Sequence, residues 1–262
     1  TMSVQFTITG TSAGPGIPSY FCDCVACQEA LKHPHLARTR SGAVLTTAAE
    51  TVLIDASPDL RAQLLKERIN NIDYVFLTHW HYDHFGGLAD LEYYVKLARR
   101  EPIRLYLPAD AVQEYRTAYP FLEDVFEVEV WEYEKKYHFT GCTLTPLPAV
   151  HGRQTAGVLL EAKNNLAYFT DTALLPEATV QKLRGIDYFI CDATFHRDNW
   201  YPNSHMTIQQ AIELGKQIKA KKIVLTHLAL HYSEPITVEE LTERLSAHPE
   251  AVLAYDGMKI DI

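Results

Sequence analysis

Four residues able to hold a metal stand within six positions. His79, His81, Asp83 and His84 form the pattern H-x-H-x-D-H inside Thr78-His79-Trp80-His81-Tyr82-Asp83-His84. Neutral imidazole and carboxylate ligands suit zinc, manganese or iron, and two such ions held close together suit hydrolysis. His79 and His81, two apart, can face one ion while Asp83 and His84 turn toward a second. The competing reading, polar residues on a surface loop, must explain four ligand types at this spacing directly after the apolar run Tyr74-Val75-Phe76-Leu77.

Single ligand-type residues recur after later apolar runs. His151 follows Leu147-Pro148-Ala149-Val150, Asp171 ends Leu166-Ala167-Tyr168-Phe169-Thr170, and His227 closes Ile223-Val224-Leu225-Thr226. Each alone reads as a loop residue. Together they complete two coordination shells, with the Asp171 carboxylate able to bridge both ions. A separate cluster, Cys22-Asp23-Cys24-Val25-Ala26-Cys27, is C-x-C-x-x-C. Three thiolates this close satisfy three corners of a tetrahedral structural zinc, the other reading being free thiols on a surface loop. Cys142 and Cys191 sit in apolar stretches and read as inert core thiols.

His205, in Asn203-Ser204-His205-Met206-Thr207, precedes a helical pattern whose start can meet an anion. It is the candidate partner for a leaving alkoxide, set against a plain role beside a helix cap. His196 is a weaker candidate for substrate contact, and Asp192 a candidate orienting carboxylate. Tyr93, Tyr94 and Trp200 could line a pocket, although aromatic residues at such spacing are more often packing.

These side chains need a scaffold that delivers strand ends to one rim. Apolar runs predict strands at 4–9, 43–46, 51–54, 74–77 and 103–107, then at 126–131, 143–147, 157–160, 166–170, 188–191, 223–225 and 258–262. Helix signals are interleaved. Ser57-Pro58 reads as a cap and first turn ahead of 59–67, and Thr237-Val238-Glu239-Glu240 as a capping box ahead of 241–247. Ile208, Ala211, Ile212, Gly215 and Ile218 space one helical face, and 176–183 stops at Gly185. After the histidine motif, Gly86-Gly87 permits a sharp turn into a helix from Leu91 to Leu97. Strand hairpins open the chain, so a single doubly wound parallel sheet fits poorly. The expected fold class is α/β, a four-layer α/β/β/α sandwich.

Bulk properties bound the rest. The 262 residues, 47% hydrophobic, suffice for a single domain over 1–262 with a cysteine insertion near 20–35. Lys and Arg number 24 against 33 Asp and Glu, a formal charge of −9 without a long basic run, which disfavours an extended nucleic-acid surface. No apolar run is long enough to span a membrane, and Thr1-Met2-Ser3-Val4-Gln5-Phe6 lacks the basic and apolar regions of a secretory leader. Cytoplasmic residence is the resulting expectation.

With these motifs in place, the chain resembles the metallo-β-lactamase superfamily. The resemblance runs through Leu53-Ile54-Asp55-Ala56, the histidine motif, His151-Gly152, Phe169-Thr170-Asp171-Thr172 and Leu225-Thr226-His227 in the family's order. It implies that His79, His81 and His151 hold one metal, that Asp83, His84 and His227 hold the other, and that Asp171 bridges them. It also implies that Asp55 orients a histidine ligand. The cysteine cluster, with Thr9-Gly10-Thr11, Gly16-Ile17-Pro18, Arg40-Ser41-Gly42 and Tyr255-Asp256-Gly257-Met258, resembles the PhnP-type branch. That branch takes its fourth zinc ligand from a histidine three residues past the last active-site histidine. Here position 230 is Leu, and His231 is the expected ligand, with His33 or His35 as alternatives.

The resemblance implies a phosphodiesterase that uses a two-metal-activated hydroxide (manganese or zinc), with His205 assisting the leaving group. The implied substrate is 5-phosphoribosyl 1,2-cyclic phosphate or a nucleotide-like relative, and the implied assembly a homodimer. Two other activities compete. Asp192-Ala193-Thr194-Phe195 and Ser204-His205-Met206-Thr207 are similar to motifs of tRNA 3′-processing endonucleases, against which stand the charge and the lack of a basic arm. A non-hydrolytic accessory protein of cofactor biosynthesis is the other, against which stands the complete ligand set. Lactam or thioester hydrolysis leaves His205 unexplained.

Overall fold

The computed structural model describes residues 3–262, so Thr1 and Met2 of the opening segment lie outside the described residues. The first half runs β1 (Gln5–Gly10), α1 (Val25–Lys32), β2 (Gly42–Thr46), β3 (Thr51–Ile54), α2 (Leu60–Glu67), β4 (Tyr74–Phe76), α3 (Tyr82–Phe85), α4 (Leu91–Tyr93), β5 (Ile103–Leu107), α5 (Val112–Ala118) and β6 (Phe126–Val130). The second half runs β7 (Tyr137–Phe139), β8 (Cys142–Pro148), β9 (Ala156–Glu161), β10 (Asn165–Phe169), α6 (Glu177–Leu183), β11 (Tyr188–Asp192), α7 (Ile208–Ile218), β12 (Lys222–Thr226), α8 (Val238–Leu245), β13 (Ala251–Leu253) and β14 (Met258–Asp261).

Among the described residues the strands form two seven-stranded sheets, ordered β14-β1-β2-β3-β4-β5-β6 and β13-β12-β11-β10-β9-β8-β7. Each sheet is antiparallel where its half begins and parallel where the helical crossovers follow. Side chains that alternate along a strand enter different cores. On β4 and its exit, Phe76 joins the core between the sheets, while Val75 and Leu77 join the core under α2 and the segment at Leu88–Leu91. On β12, Val224 faces the intersheet core, while Ile223 and Leu225 pack beneath α6, α7 and α8. Burial on both faces is why these strands read as unbroken apolar runs, and it stacks helix, sheet, sheet and helix in four layers.

Local corrections have local causes. β7 and β13 escape the pattern because three residues of pairing to β8 and β12 carry little periodicity. α5 was likewise not expected. α2 starts at Leu60, with the Ser57 hydroxyl accepting the Asp59 N–H at 3.1 Å, so Ser57-Pro58 precedes the helix rather than capping it. The reciprocal capping box belongs to Thr207 and Gln210 on α7. On α8, Thr237 accepts the Glu240 N–H, and the Glu29 carboxylate of α1 takes the Val238 and Glu239 N–H groups at 2.7 and 3.2 Å. α4 continues as a π-helical turn over Tyr94–Arg99.

Gly86 and Gly87 serve close packing rather than an unusual turn, since their φ values are −60° and −94°. A Cβ on Gly87 would stand 2.1 Å from the Ser57 carbonyl oxygen and 2.8 Å from the Leu60 Cβ. Backbone cannot yield as a flexible side chain can. Gly87→Ala is therefore expected to destabilise the metal-free protein by about 1–3 kcal/mol, seen as a lower melting temperature. An unchanged melting curve would show that the two segments separate without strain.

Candidate active site

The chain leaves its sheets at one rim next to every expected ligand. Asp55 follows β3, the histidine motif follows β4, Asp171 follows β10, and His227 follows β12. β8 runs antiparallel to β9, and β9 to β10, so β8 and β10 end at the same rim and His151 joins the others. Asp55 and His227 have φ of 63° and 55°. Positive φ in residues with a Cβ costs free energy and collects at sites where geometry matters more than local comfort.

The seven expected ligands fall into two groups, each within 4.8 Å internally: His79, His81 and His151; and Asp83, His84, Asp171 and His227; His205 comes within the same distance of His151 and Asp171, and of Asp192 and His227. Asp171 lies between the two groups. Its Oδ2 is 3.6 Å from His79 Nε2, 3.4 Å from His151 Nε2 and 3.2 Å from His227 Nε2, and its Oδ1 is 2.9 Å from His84 Nε2. The imidazoles are aimed from behind. His84 Nδ1 is 2.6 Å from Asp55 Oδ2, His79 Nδ1 is 2.9 Å from the Thr78 hydroxyl, and His151 Nδ1 donates to the Ser204 carbonyl at 2.8 Å. The Thr78 hydroxyl in turn donates to Asp55 at 2.8 Å, so one buried carboxylate steadies two rings.

These donors fit cations. His79 Nε2 and His227 Nε2 are buried without a hydrogen-bond partner, a costly arrangement unless a Lewis acid meets the lone pair. His81 Nδ1 and His151 Nε2 face each other at 3.1 Å. Burial pushes the pKa of His79, His81 and His151 down, leaving neutral imidazoles whose lone pairs are free for coordination. Burial alone would raise Asp171 and Asp83, but the neighbouring imidazoles hold both carboxyls well below their usual range. On the other side burial opposes a charge on His84, but the Asp171, Asp83 and Asp55 carboxylates around it hold its pKa well above the usual value, so this group joins carboxylate oxygens to a ring that must lose its proton before it meets a cation.

His205 faces the same cavity, of about 700 Å3, as His81, His151, Asp83, Asp171 and His227. Its Nδ1 lies 2.6 Å from Asp192 Oδ2 at the end of β11. Burial opposes the charged form of His205, and the Asp192 carboxylate overrides it, holding the pKa at about 9. Asp192 is pinned by the Thr172 and Thr194 N–H groups, both at 3.0 Å. Thr194 was not singled out from sequence. Its hydroxyl lies 2.8 Å from Asp192, 3.2 Å from His205 and 2.9 Å from His227, so it joins the two halves of the site. Its sequence signal is its place in Asp192-Ala193-Thr194-Phe195, two residues beyond Asp192.

Other candidates separate. Trp200 lines the cavity. Tyr93 is exposed outside it, and Tyr94 Oη is committed to the Ile72 N–H and Asn71. His196 donates through Nδ1 to the Glu234 carbonyl at 2.9 Å and anchors a loop instead of lining the cavity.

Cys22, Cys24 and Cys27 converge with their sulfurs within 4.8 Å. They sit at the start of α1 rather than on an open loop, with Cys24 at its N-cap and Cys27 buried in its first turn. The Cys24 backbone N–H lowers the Cys22 thiol, while burial pushes Cys27 up to about 12. His231 does not join that group. Its Nε2 is 3.3 Å from the Ser19 hydroxyl, its Nδ1 is buried without a partner, and burial pushes it down to about 4. His33 and His35 are exposed and outside the group. Cys142 and Cys191 are buried, with thiol pKa raised by burial, as inert core thiols should be. No helix among the described residues is long and apolar enough to cross a membrane.

A model of the Beta-lactamase superfamily domain matches residues 50–228. The chain is 30% identical over 260 residues to an octanoyltransferase of Porphyromonas gingivalis, covering 96% of this chain and 50% of that protein. It therefore spans about half the length of that relative. Among solved structures it is similar to a diphosphatase from the PhnP family, with a TM-score of 0.88, 27% identity and coverage of 100% of this chain and 98% of that one. It is also similar in fold to zinc-bound PqqB from Methylobacterium extorquens, with a TM-score of 0.81, 21% identity and coverage of 98% and 100%.

Proposed function

The chain belongs to the metallo-β-lactamase superfamily, and on that premise we propose that it hydrolyses a small phosphodiester with two divalent cations. His79, His81 and His151 would hold one cation, Asp83, His84 and His227 the other, with Asp171 shared between them. A cation pair supplies, when bound, a water of lowered pKa and neutralisation of charge on phosphoryl oxygens. The observation that carries the reading is the His205–Asp192 pair opening onto the same cavity as both ligand groups. Thioester hydrolysis gives no use to a cationic imidazole at that place, because a thiolate departs without a proton. A diester that expels an alkoxide does, because the leaving oxygen must gain a proton.

Similarity at 27% identity to a PhnP-family diphosphatase supports phosphoryl chemistry. The finer substrate, a cyclic ribose or nucleotide-like phosphodiester, belongs to the same proposal, as does zinc at Cys22, Cys24 and Cys27 with His231 as a fourth ligand. Likeness to PqqB is a likeness of fold, and the complete ligand set favours hydrolysis over an accessory role. The test is turnover of a ribose 1,2-cyclic phosphate, 2′,3′-cyclic nucleotides and bis(p-nitrophenyl) phosphate with added manganese, metal content being measured on the same sample. Hydrolysis of at least one diester is expected. No turnover on any of them with both metals present would favour the accessory reading.

A further inference from the structure

One wall of the active-site cavity is built for something other than the ester. Trp200 and Tyr232 stack with ring centroids 5.3 Å apart and planes inclined by 29°. Phe195 packs 5.9 Å from Trp200 and 6.2 Å from the His205 ring, which ties this wall to the reacting end of the cavity. Trp200 nonetheless remains 51% exposed while lining the cavity. Its indole N–H donates to Asp198 Oδ2 at 3.2 Å, and Tyr232 rests on the His231 ring at 4.1 Å. The platform is held in place before anything binds, so little side-chain entropy is lost when a ligand covers it.

Charge is not what this wall offers. Arg153 is the only Lys or Arg among the described residues lining the cavity. Its guanidinium is already engaged by Glu114 at 2.8 Å and by the Trp80 carbonyl at 2.8 Å. A fixed, half-wet aromatic face in a cavity of about 700 Å3 is instead suited to a flat π-system, and such stacking discriminates for rings as a class.

We infer that the substrate carries a planar aromatic ring, of nucleobase type, which stacks on the exposed indole of Trp200, backed by Tyr232, while its phosphate ester lies at the metal ligands. The substrate class is then a nucleotide ester rather than a bare sugar phosphate. The inference takes the position of the ester from the phosphodiesterase reading, whereas the ring site can be measured without turnover.

The test is equilibrium binding of AMP and of ribose 5-phosphate to the metal-loaded protein, by calorimetry and by indole fluorescence. Trp80 and Trp131 are buried at 4% and 1% exposure, so quenching by an added base reports on Trp200. AMP is expected to quench and to bind about tenfold or more tightly than ribose 5-phosphate. Trp200→Ala should abolish both the quench and the preference, while Trp200→Phe should keep most of the preference in calorimetry. Equal affinities in the wild type, or an unchanged AMP preference in Trp200→Ala, would overturn the inference. Loss of all diester turnover with the AMP preference intact would sink the phosphodiesterase reading alone. Turnover of diesters without any AMP preference would sink the ring site alone.

Discussion

Asp171→Asn is expected to lower diester turnover by about 10³-fold and to strip at least one divalent cation from the purified protein. The scale follows from losing several kcal/mol of charge stabilisation in a site shielded from water. The substitution keeps the side chain's size and removes only its charge and one acceptor oxygen. Asp171 is the position where that matters most, because its two oxygens lie within 3.6 Å of nitrogen atoms from His79, His84, His151 and His227. With an amide there, four buried imidazoles share no anion, and cations brought to both groups would repel each other without a carboxylate between them. Elemental analysis and turnover on one preparation give the answer. Retention of both cations with turnover within tenfold of wild type would remove Asp171 from the shared position.

The proposed ligand residues are legible because their chemistry is local in sequence. H-x-H-x-D-H declares itself within six residues between β4 and the end of α3, and His151, Asp171 and His227 each follow an apolar run that burial on two faces makes conspicuous. What orients those ligands was less legible. Asp55 emerged only through the family resemblance, and nothing in its neighbours announces the φ of 63° that points its carboxylate at His84 and Thr78. Thr194 matters because β11, β12 and the approach to α7 place Asp192, His227 and His205 around one hydroxyl. That convergence depends on the sheet order and has no periodic signature. The cysteine segment shows the converse case. Its spacing announces the convergence of three sulfurs, but its helix is hidden, because α1 is held by packing and by Glu29 reaching across to α8.

The same long-range logic governs the other large effect. His205→Ala should slow a diester that expels an alkoxide by about 10²–10⁴-fold, the usual contribution of a positioned proton donor, while metal content stays unchanged. His205 lies within 4.8 Å of ligand atoms on His151 and Asp171, and on His227, but its Nδ1 is tied to Asp192 at 2.6 Å. The decisive comparison is between leaving groups. A p-nitrophenolate departs without needing a proton, so bis(p-nitrophenyl) phosphate should lose far less than a ribose or nucleoside cyclic diester. Asp192→Asn should reproduce the pattern, since the carboxylate is what holds the proton on the ring. A residue that merely shaped the cavity would depress both substrates alike. Equal losses on the two leaving groups, or a fall in bound metal that tracks the fall in rate, would therefore make His205 a structural neighbour of the ligands and not the group that protonates the departing oxygen.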